Sequence, residues 1–256
     1  MNSSFWRLDG KKALVTGATK GIGAAIVDVL RERGADVFLT ARTADDVRAS
    51  VERRDSEGGK LYGAAFDVTD RDQRSALIEE CVESLGGLDI LVNNVGTNIR
   101  RRVHEYQNDE LDFLLQTNLV SAFELCRLAY PHLRRSGSAS VVNMSSVSAL
   151  THVRTGAIYG MTKAALNQLT RNLAGEWGPE GIRVNALAPW YIRTPLAEQV
   201  LRDKSYAQSV IDRTPLGRVG EAGEVAAAVA FLCMPGAAYI SGQILAIDGG
   251  MSIAGF

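Results

Sequence analysis

Short apolar runs recur along the chain and alternate with longer stretches whose apolar positions follow a helical period. Such runs, bounded by turn residues, are typical of buried strands. Strands that alternate with helices through short turns predict a parallel, doubly wound sheet with its sites at the carboxyl ends of the strands. The predicted strands are residues 12–16, 36–41, 61–67, 90–93, 140–144, 183–188 and 244–248.

The stretches between these runs predict helices. One follows a glycine-rich turn and continues to Glu32, and a charged one covers about residues 44–57. The cap-type residues Thr69 and Asp72 begin the next helix, which a glycine pair ends. Residues 196–212 form a charged amphipathic segment, and long connections of this kind are often lids over binding sites. A last helix is predicted at about 221–233.

Two long helices are predicted at about residues 108–133 and 157–178, and both carry apolar residues on more than one face. A helix that is apolar nearly all round needs cover on both sides. The sheet covers one side, and we expect a second copy of the chain to cover the other, in a dimer or a tetramer. Burial by loops of the same chain is the alternative.

Composition narrows the class of protein. The 256 residues are 46% hydrophobic and contain no repeat or low-complexity tract, so residues 1–256 are predicted to form one domain. A net charge of -1 gives no basic field that would favour nucleic acid or an anionic membrane. Cys81, Cys126 and Cys233 are widely spaced, which is typical of core thiols in a reducing compartment. With no signal-peptide run and no bilayer-length apolar stretch, we expect a cytoplasmic protein that makes no membrane contact.

The first predicted strand leads directly into the sequence TGATKGIG at residues 16–23, followed by a helix. Glycine lets the backbone turn tightly and approach a pyrophosphate, and the helix N-terminus offers free N–H groups to an anion. The GxxxGxG spacing differs from the GxxxxGKS/T phosphate loop, which argues against a nucleoside triphosphate site. We therefore predict a dinucleotide site, with a ligand-free glycine turn as the alternative.

The end of the second strand indicates which dinucleotide is preferred. An Asp or Glu there would bond the ribose 2′-hydroxyl and repel a 2′-phosphate. This strand ends in Ala41 followed by Arg42, and Lys20 adds a second cation from the glycine turn. The two cations predict NADPH rather than NADH. The alternative is that Asp45 or Asp46 serves as the acid, although both resemble the acidic first turn of a helix.

Tyr159 and Lys163 are candidates for acid–base chemistry, because residues four apart share one face of a helix. An ammonium beside a phenol favours the phenolate and lowers the pKa of the tyrosine, which can then exchange a proton with an alcohol or alkoxide. Ser146, thirteen residues upstream of Tyr159, could hold the same oxygen. A surface tyrosine and an ordinary helix lysine are the alternative. Asn118 lies inside a predicted helix, and it either bonds backbone or water near the site or is simply exposed.

In this order and spacing, the features resemble the short-chain dehydrogenase/reductase family over essentially the whole chain. The resemblance implies a single-domain Rossmann-type parallel sheet of seven strands with helices on both faces, assembled through the two long helices. The tropinone-reductase-like group of that family is the most similar. Trp190 replaces the family's usual glycine and Val95 its alanine, and both changes alter the pocket wall. The motifs are TGATKGIG, Asp67-Val68, NNVG at residues 93–96, Asn118, Ser146, Tyr159-x-x-x-Lys163 and PWYIRT at residues 189–194.

The resemblance also implies roles for individual residues, and it includes no metal site. Tyr159 would donate the proton, Lys163 would lower its pKa and bind the nicotinamide ribose, Ser146 would hold the substrate oxygen, and Asn118 would anchor a water. The other expected contacts divide along NADPH. Gly17, Thr19, Lys20, Gly21, Ile22 and Arg42 would hold the adenosine pyrophosphate half, Asp67 and Val68 the adenine, Asn94 and Gly96 the riboses, and Ile192 and Thr194 the carboxamide.

The substrate wall is expected from residues 97–103, 147–156, 190–191 and 196–212, whose apolar side chains favour a small lipophilic, cyclic ketone. Arg100, first of three consecutive arginines, is either solvated or faces the pocket mouth, where it would repel a protonated amine. On charge grounds we therefore expect a neutral ketone. The expected substrate contacts are Ser146, Ser148, Tyr159, Arg100, Trp190, Tyr191 and Leu196, with Val147, Leu150 and Val153 as further apolar wall.

Two alternatives to a ketone reductase remain. A 3-ketoacyl thioester reductase of the same family would use the basic loop against an acidic carrier. A non-catalytic NADP-binding sensor or scaffold belongs to another class of protein. The presence of Ser146, Tyr159 and Lys163 at suitable spacing argues against it.

Overall fold

In the computed structural model, which describes residues 3–54, 58–154 and 156–254, parallel strands form a seven-stranded sheet. Two further short strands, β7 and β8, pair outside it. The strands are β1 (Lys12–Thr16), β2 (Asp36–Ala41), β3 (Leu61–Ala65), β4 (Ile90–Asn93), β5 (Ala139–Met144), β6 (Ile182–Pro189), β7 (Ile192–Arg193), β8 (Gly220–Glu221) and β9 (Ile244–Ile247). The order in the large sheet is β3-β2-β1-β4-β5-β6-β9, which confirms the predicted doubly wound topology.

Helices cover both faces of this sheet. Two separate apolar clusters form the core, one on each face of the sheet. The helices are α1 (Gly21–Glu32), α2 (Ala44–Glu52), α3 (Arg71–Leu85), α4 (Asn108–Leu115), α5 (Ser121–Ser136), α6 (Ala157–Trp177), α7 (Pro195–Leu201), α8 (Lys204–Asp212) and α9 (Ala222–Cys233).

The central strands, such as β1, β4 and β5, are buried on both faces, which explains why they read as continuous apolar runs. Cys81, Cys126 and Cys233 lie in this core as free thiols, as predicted. Desolvation of the thiolate raises the pKa of each to about 12. Among the described residues, no helix is both long enough and apolar enough to cross a membrane.

Some element boundaries differ from the predictions. The charged helix ends at Glu52, and residues 55–57, which include its predicted end, lie outside the described residues. The cap of α3 is Asp70, whose carboxylate accepts from the backbone N–H groups of Asp72 and Gln73, and not the Thr69–Asp72 pair. Gly86 ends that helix in the left-handed region at φ 72°, which explains why glycine is required there.

The long helix predicted at residues 108–133 is interrupted. α4 ends at Leu115, a π-helical turn covers Gln116–Val120, and α5 follows without a loop. A π turn widens the backbone locally and is frequent at functional sites. The segment predicted as a lid is likewise two helices, α7 and α8, joined by a short turn at Arg202 and Asp203.

Candidate active site

A cavity of about 620 Å³ opens at the carboxyl ends of the parallel strands. It lies where the sheet order reverses between β1 and β4, the position at which doubly wound sheets bind their ligands. Its walls come from the glycine turn, the segments after β2 to β6, and the start of α7. Most of the residues that were predicted from the sequence to form the site therefore line this one cavity.

The glycine turn has a conformation that only glycine adopts readily. Gly17 and Gly21 have φ values of 62° and 56°. A Cβ on Gly23 would lie 2.2 Å from the carbonyl oxygen of Gly17, so the start of α1 could not pack against the turn. The turn thus presents backbone and the helix N-terminus to the cavity, an arrangement that suits a phosphate.

Asn94 ties the glycine turn to the neighbouring strand. Its side-chain amide donates hydrogen bonds of 3.0 Å to the carbonyls of both Thr16 and Gly17. The Thr16 hydroxyl in turn accepts from the backbone N–H of Asn94 at 3.1 Å. Asn94, which was predicted to contact a ribose, lines the cavity. Its side-chain N–H groups, however, donate to the glycine turn and hold it in place. Thr16 is buried and was missed by sequence reasoning, because a threonine at a strand end carries no chemical signal of its own.

The end of the cavity beside β2 carries the predicted cations. Arg42 is exposed, and no described carboxylate forms an ion pair with it. Lys20 is also exposed, but its ammonium lies 2.9 Å from the carboxylate of Asp46. Asp45 and Asp46 are in the first turn of α2, as predicted. Asp46 nevertheless lines the cavity and neutralises one of the two cations, which sequence reasoning did not foresee.

Asp67 and Val68 form the neighbouring wall, after β3. The Asp67 carboxylate accepts from the backbone N–H of Thr69 at 2.9 Å and from its hydroxyl at 2.8 Å. Asp67 is half-buried and Val68 is almost fully buried. A carboxylate held in this way is oriented and can accept a further hydrogen bond from a ligand.

Tyr159, Lys163 and Ser146 meet at the other end of the cavity. Tyr159 and Lys163 project from the first two turns of α6, with the Lys163 ammonium 5.7 Å from the centre of the tyrosine ring. The Ser146 hydroxyl is fixed by the backbone N–H of Ser148 at 3.2 Å and is hydrogen-bonded with Tyr159. All three side chains line the cavity.

Lys163 is 2% exposed and donates a 2.7 Å hydrogen bond to the carbonyl oxygen of Met144 at the end of β5. Gly96 makes room for it, because a Cβ there would lie 3.0 Å from the Lys163 Nζ. A glycine at this position therefore permits an ammonium to reach the floor of the cavity. This is the structural reason for the last residue of the NNVG motif.

The electrostatics of the pair differ from the prediction. Burial raises the pKa of Tyr159, while the hydrogen bond with Ser146 and the charge of Arg100 lower it to a lesser extent. The same burial lowers the pKa of Lys163 to about 8. The expectation that Lys163 lowers the pKa of the phenol below its ordinary value is wrong for this structure, because desolvation disfavours the charged form of both groups.

Asn118 lies in the π turn and is 1% exposed, so the alternative of a simply exposed amide is wrong. Its side-chain oxygen accepts from the backbone N–H of Thr97 at 2.8 Å, and its amide donates to the carbonyl of Thr97 at 2.9 Å. The amide also lies 3.3 Å from the hydroxyl of Thr162, next to Lys163. Asn118 therefore bonds backbone, which was the first of its two predicted roles, and it lies behind the cavity wall.

The wall beside Tyr159 is largely aromatic. Trp190 and Tyr191 pack edge to face at 4.7 Å, and the Trp190 indole donates to the hydroxyl of Thr214 at 3.1 Å. The Tyr191 hydroxyl lies 2.5 Å from that of Tyr206 on α8. Leu196 on α7 lines the same region. These contacts form an apolar wall with polar groups at its edge.

Arg100 lines the cavity and is half-buried, so the solvated alternative is wrong for this residue. Arg101 instead pairs with Glu110 at 2.8 Å, and Arg102 is exposed. Only the first of the three arginines therefore faces the site.

Three predicted wall residues do not line the cavity. Ser148 uses its backbone N–H to hold Ser146, and its own hydroxyl is turned into the protein. Val147 is fully buried in the core, and Leu150 is 44% exposed on the outside. Residues 147–150 form a short helical turn that points them away, which the apolar pattern alone does not indicate.

Of the other residues that line the cavity, some were predicted from the sequence and others were missed. Thr19, Gly21 and Ile22 are in the glycine turn, and Ile192 and Thr194 follow β6, as expected. The missed members of the wall include Thr40, Phe113, Thr117, Pro195 and Gln199.

Within the described residues, no cluster of His, Cys, Asp or Glu could hold a metal ion.

Comparison with known proteins adds an independent result. The family model described as enoyl-(acyl carrier protein) reductase matches residues 17–252. A tropinone reductase homolog of Arabidopsis thaliana is 48% identical over 252 residues, which cover 98% of this chain and 96% of that protein. The similarity thus extends over nearly the full length of both chains.

Solved structures are also similar over nearly the full length of the chain. A gluconate 5-dehydrogenase from Burkholderia cenocepacia in complex with NADP and tartrate has a TM-score of 0.95 and 32% identity, over 99% of this chain and all of that one. A 7α-hydroxysteroid dehydrogenase complexed with NADH and 7-oxo glycochenodeoxycholic acid has a TM-score of 0.93 and 33% identity, over 98% and 97% of the two chains. The predicted sheet and its helices are therefore shared with enzymes that bind nicotinamide dinucleotides.

Proposed function

The chain belongs to the short-chain dehydrogenase/reductase family, and within that family we propose that it is an NADPH-dependent carbonyl reductase acting on a small lipophilic, cyclic ketone. The proposal depends on one observation above all. Tyr159, Ser146 and Lys163 meet in a single cavity with the glycine turn. This arrangement supports the proposal, because a proton donor and a dinucleotide cradle are needed along the same cleft.

The shape and charge of the cleft suit a dinucleotide. The cradle at Gly17 and Gly23 has no room for a side chain, and the N-terminus of α1 faces it. At the far end Arg42 has no carboxylate partner among the described residues, so its N–H groups can donate to a 2′-phosphate. Lys20 would exchange its contact with Asp46 for the same phosphate. These residues support NADPH as the cofactor, which when bound supplies a hydride to a carbonyl carbon.

The protein's own groups then act on the carbonyl oxygen. Tyr159 donates its proton to this oxygen as negative charge develops there, and the raised pKa keeps the phenol protonated and ready to donate. The Ser146 hydroxyl donates a second hydrogen bond to the same atom. Lys163, held at Met144, places a positive charge below the ring and stabilises the phenolate that remains.

Asn118 would support the reaction from behind the wall. It fixes the backbone of Thr97 beside Gly96 and reaches Thr162, so it links the NNVG segment to α6. In this proposal its role is to position Lys163 and to anchor a water that returns a proton to the site.

A panel of carbonyl compounds, followed by NADPH absorbance, tests the proposal. We expect oxidation of NADPH with cyclic ketones and at least about tenfold slower turnover with NADH, since a charge-assisted hydrogen bond contributes ~1.5–3 kcal/mol. An acetoacetyl thioester belongs in the panel, because its preferential turnover would favour a 3-ketoacyl thioester reductase. If no carbonyl compound is turned over while NADPH binds, the reductase proposal fails and a non-catalytic NADP-binding role replaces it.

A further inference from the structure

Arg100 presents a positive charge to the part of the cavity beside Tyr159, and no carboxylate in the described part of the chain forms an ion pair with it. Its Nε is buried, and no described residue accepts a hydrogen bond from it. A guanidinium has five donors and no acceptor, and a buried donor without a partner is costly. This Nε is covered by protein, but Arg100 lines the cavity and is only half-buried, so the terminal N–H groups of the guanidinium are the donors that a ligand there can reach.

The loop that carries Arg100 is held from several sides. Asn118 bonds both backbone groups of Thr97, three residues before it. The Tyr106 hydroxyl donates a 2.6 Å hydrogen bond to the carbonyl of Ile99, the residue immediately before Arg100. On the other side Arg101 is paired with Glu110. The backbone around Arg100 is therefore held in place, and less conformational entropy of the loop is lost when an anion binds.

The charges around the cavity are unevenly distributed. Among the described residues of its wall, the carboxylates are Asp46 and Asp67, which follow β2 and β3. Arg100 follows β4 and lies near Tyr159 and Tyr191: burial raises the pKa of both phenols, and the charge of Arg100 opposes this increase to a lesser extent. Arg154 adds positive charge at the rim, with its guanidinium 5.7 Å from the centre of the Tyr206 ring. This end of the cavity therefore attracts an anion.

We propose that the ketone reduced at Tyr159 carries a carboxylate, and that Arg100 binds this carboxylate while the apolar wall of Trp190 and Leu196 holds the ring between the two groups. The inference builds on the proposed function and narrows its substrate to keto acids with an apolar body. It replaces the expectation of a neutral ketone. A planar guanidinium suits a carboxylate, because two parallel N–H groups can bind both oxygens.

Matched substrates and variants test this inference. The substrates are 4-oxocyclohexanecarboxylate, its neutral carboxamide of nearly the same shape, and the cationic N-methyl-4-piperidone. The variants are Arg100→Met, Arg100→Lys and, as a control from the same loop, Arg102→Met, since Arg102 is exposed and outside the cavity. For each combination of protein and substrate, kcat and KM are measured at saturating NADPH and compared as kcat/KM.

We expect the wild type to prefer the carboxylate over the carboxamide by about tenfold or more, and the cation to be the poorest substrate. Arg100→Met should remove this preference mainly through KM, Arg100→Lys should retain part of it, and Arg102→Met should behave as the wild type. Equal turnover of acid and amide by the wild type, or an equal loss of both in Arg100→Met, would overturn the inference.

A binding measurement separates this inference from the proposed reductase activity. Cyclohexanecarboxylate and cyclohexanecarboxamide, neither of which can be reduced, are titrated into the protein with saturating NADP⁺, using calorimetry. Tighter binding of the carboxylate that Arg100→Met abolishes supports the carboxylate site even if no ketone is turned over. Equal binding of the two compounds contradicts it, even if neutral ketones are good substrates.

Discussion

At the scale of single residues, the site is governed by the cost of burying charge. Desolvation raises the pKa of Tyr159 and lowers that of Lys163 to about 8, so each group is pushed toward its neutral form. The types and spacing of these two residues in the sequence were enough to predict that they share one face of a helix. Their burial could not be predicted, because it depends on the segments after β4 and β5 that close around α6. The orientation of Arg100 was open for the same reason.

The depressed pKa of Lys163 predicts a pH dependence of stability. Between about pH 8 and 10.5 the folded chain has lost the Lys163 proton while the unfolded chain retains it, so the free energy of unfolding rises with pH. Below this window Lys163 is protonated in both the folded and the unfolded chain, so the free-energy cost of burying its charge does not change with pH. Relative to Lys163→Met, we expect the wild type to gain about 2 kcal/mol between roughly pH 7.5 and 9.5.

Urea unfolding of both proteins without cofactor at the two pH values measures this difference, and all other titrating groups cancel in the comparison. A difference that stays constant or falls with pH would show that Lys163 keeps an ordinary pKa in the folded chain.

At the scale of elements, two short segments position the site. The glycine turn was recognisable because strand, glycines and helix follow each other directly, and the structure places it at the cavity. The π turn at Gln116–Val120 could not be recognised, because the apolar pattern of the sequence continues through it. Its only signal was an amide inside a predicted helix, Asn118. The pattern specifies which face of a helix is buried, and it does not report a single widened turn.

The position of Asn118 predicts a measurable cost for its replacement. Asn118→Leu removes the buried amide that bonds the part-buried backbone N–H and carbonyl of Thr97, so we expect a loss of ~1–3 kcal/mol in the free energy of unfolding. The control is Asn172→Leu on α6, where the amide is exposed and bonds only to Gln168. It should change stability by less than about 0.5 kcal/mol. Equal effects of the two substitutions in thermal or urea unfolding would contradict the buried network.

The segment after β2 predicts the cofactor preference. Arg42→Asp introduces a carboxylate that would accept from a ribose 2′-hydroxyl and repel a 2′-phosphate. We expect the NADPH-to-NADH ratio of kcat/KM to fall by at least about tenfold, the effect of one lost charge-assisted hydrogen bond. Arg48→Asp, on the exposed side of α2, applies the same charge change away from the cavity and should leave the ratio unchanged. An unchanged ratio in Arg42→Asp would argue for an acid such as Asp46 at the ribose.

At the scale of the whole molecule, the parallel, doubly wound sheet could be predicted from the alternation of apolar runs and amphipathic stretches, whereas its seven strands and two helical layers were implied by the family resemblance. The surface is less determined by this pattern. Phe123 on α5 and Met161 on α6 are 46% and 58% exposed, although both lie in helices with an apolar second face. We propose that these helices form the interface of a homo-oligomer, a dimer or a tetramer.

Charge substitution on these helices tests the assembly. Phe123→Glu and Met161→Glu together should reduce the mass measured by light scattering toward that of the 27.6 kDa chain. Phe5→Glu replaces an exposed aromatic residue outside both helices and should leave the mass unchanged. If the wild type is itself monomeric, or if the double variant keeps its mass, the proposed interface is wrong.

The most direct test of the central claim is the oxidation of protein-bound NADPH by a cyclic ketone, measured by absorbance in the wild type and in Tyr159→Phe. The substitution removes only the phenolic oxygen that we assign as the proton donor. We predict that the rate falls by about 10²–10⁴-fold, the usual contribution of a general acid. The Kd for NADPH should change less than about threefold, since this contact is one of many. A variant that oxidises NADPH at the wild-type rate would contradict the assignment of Tyr159.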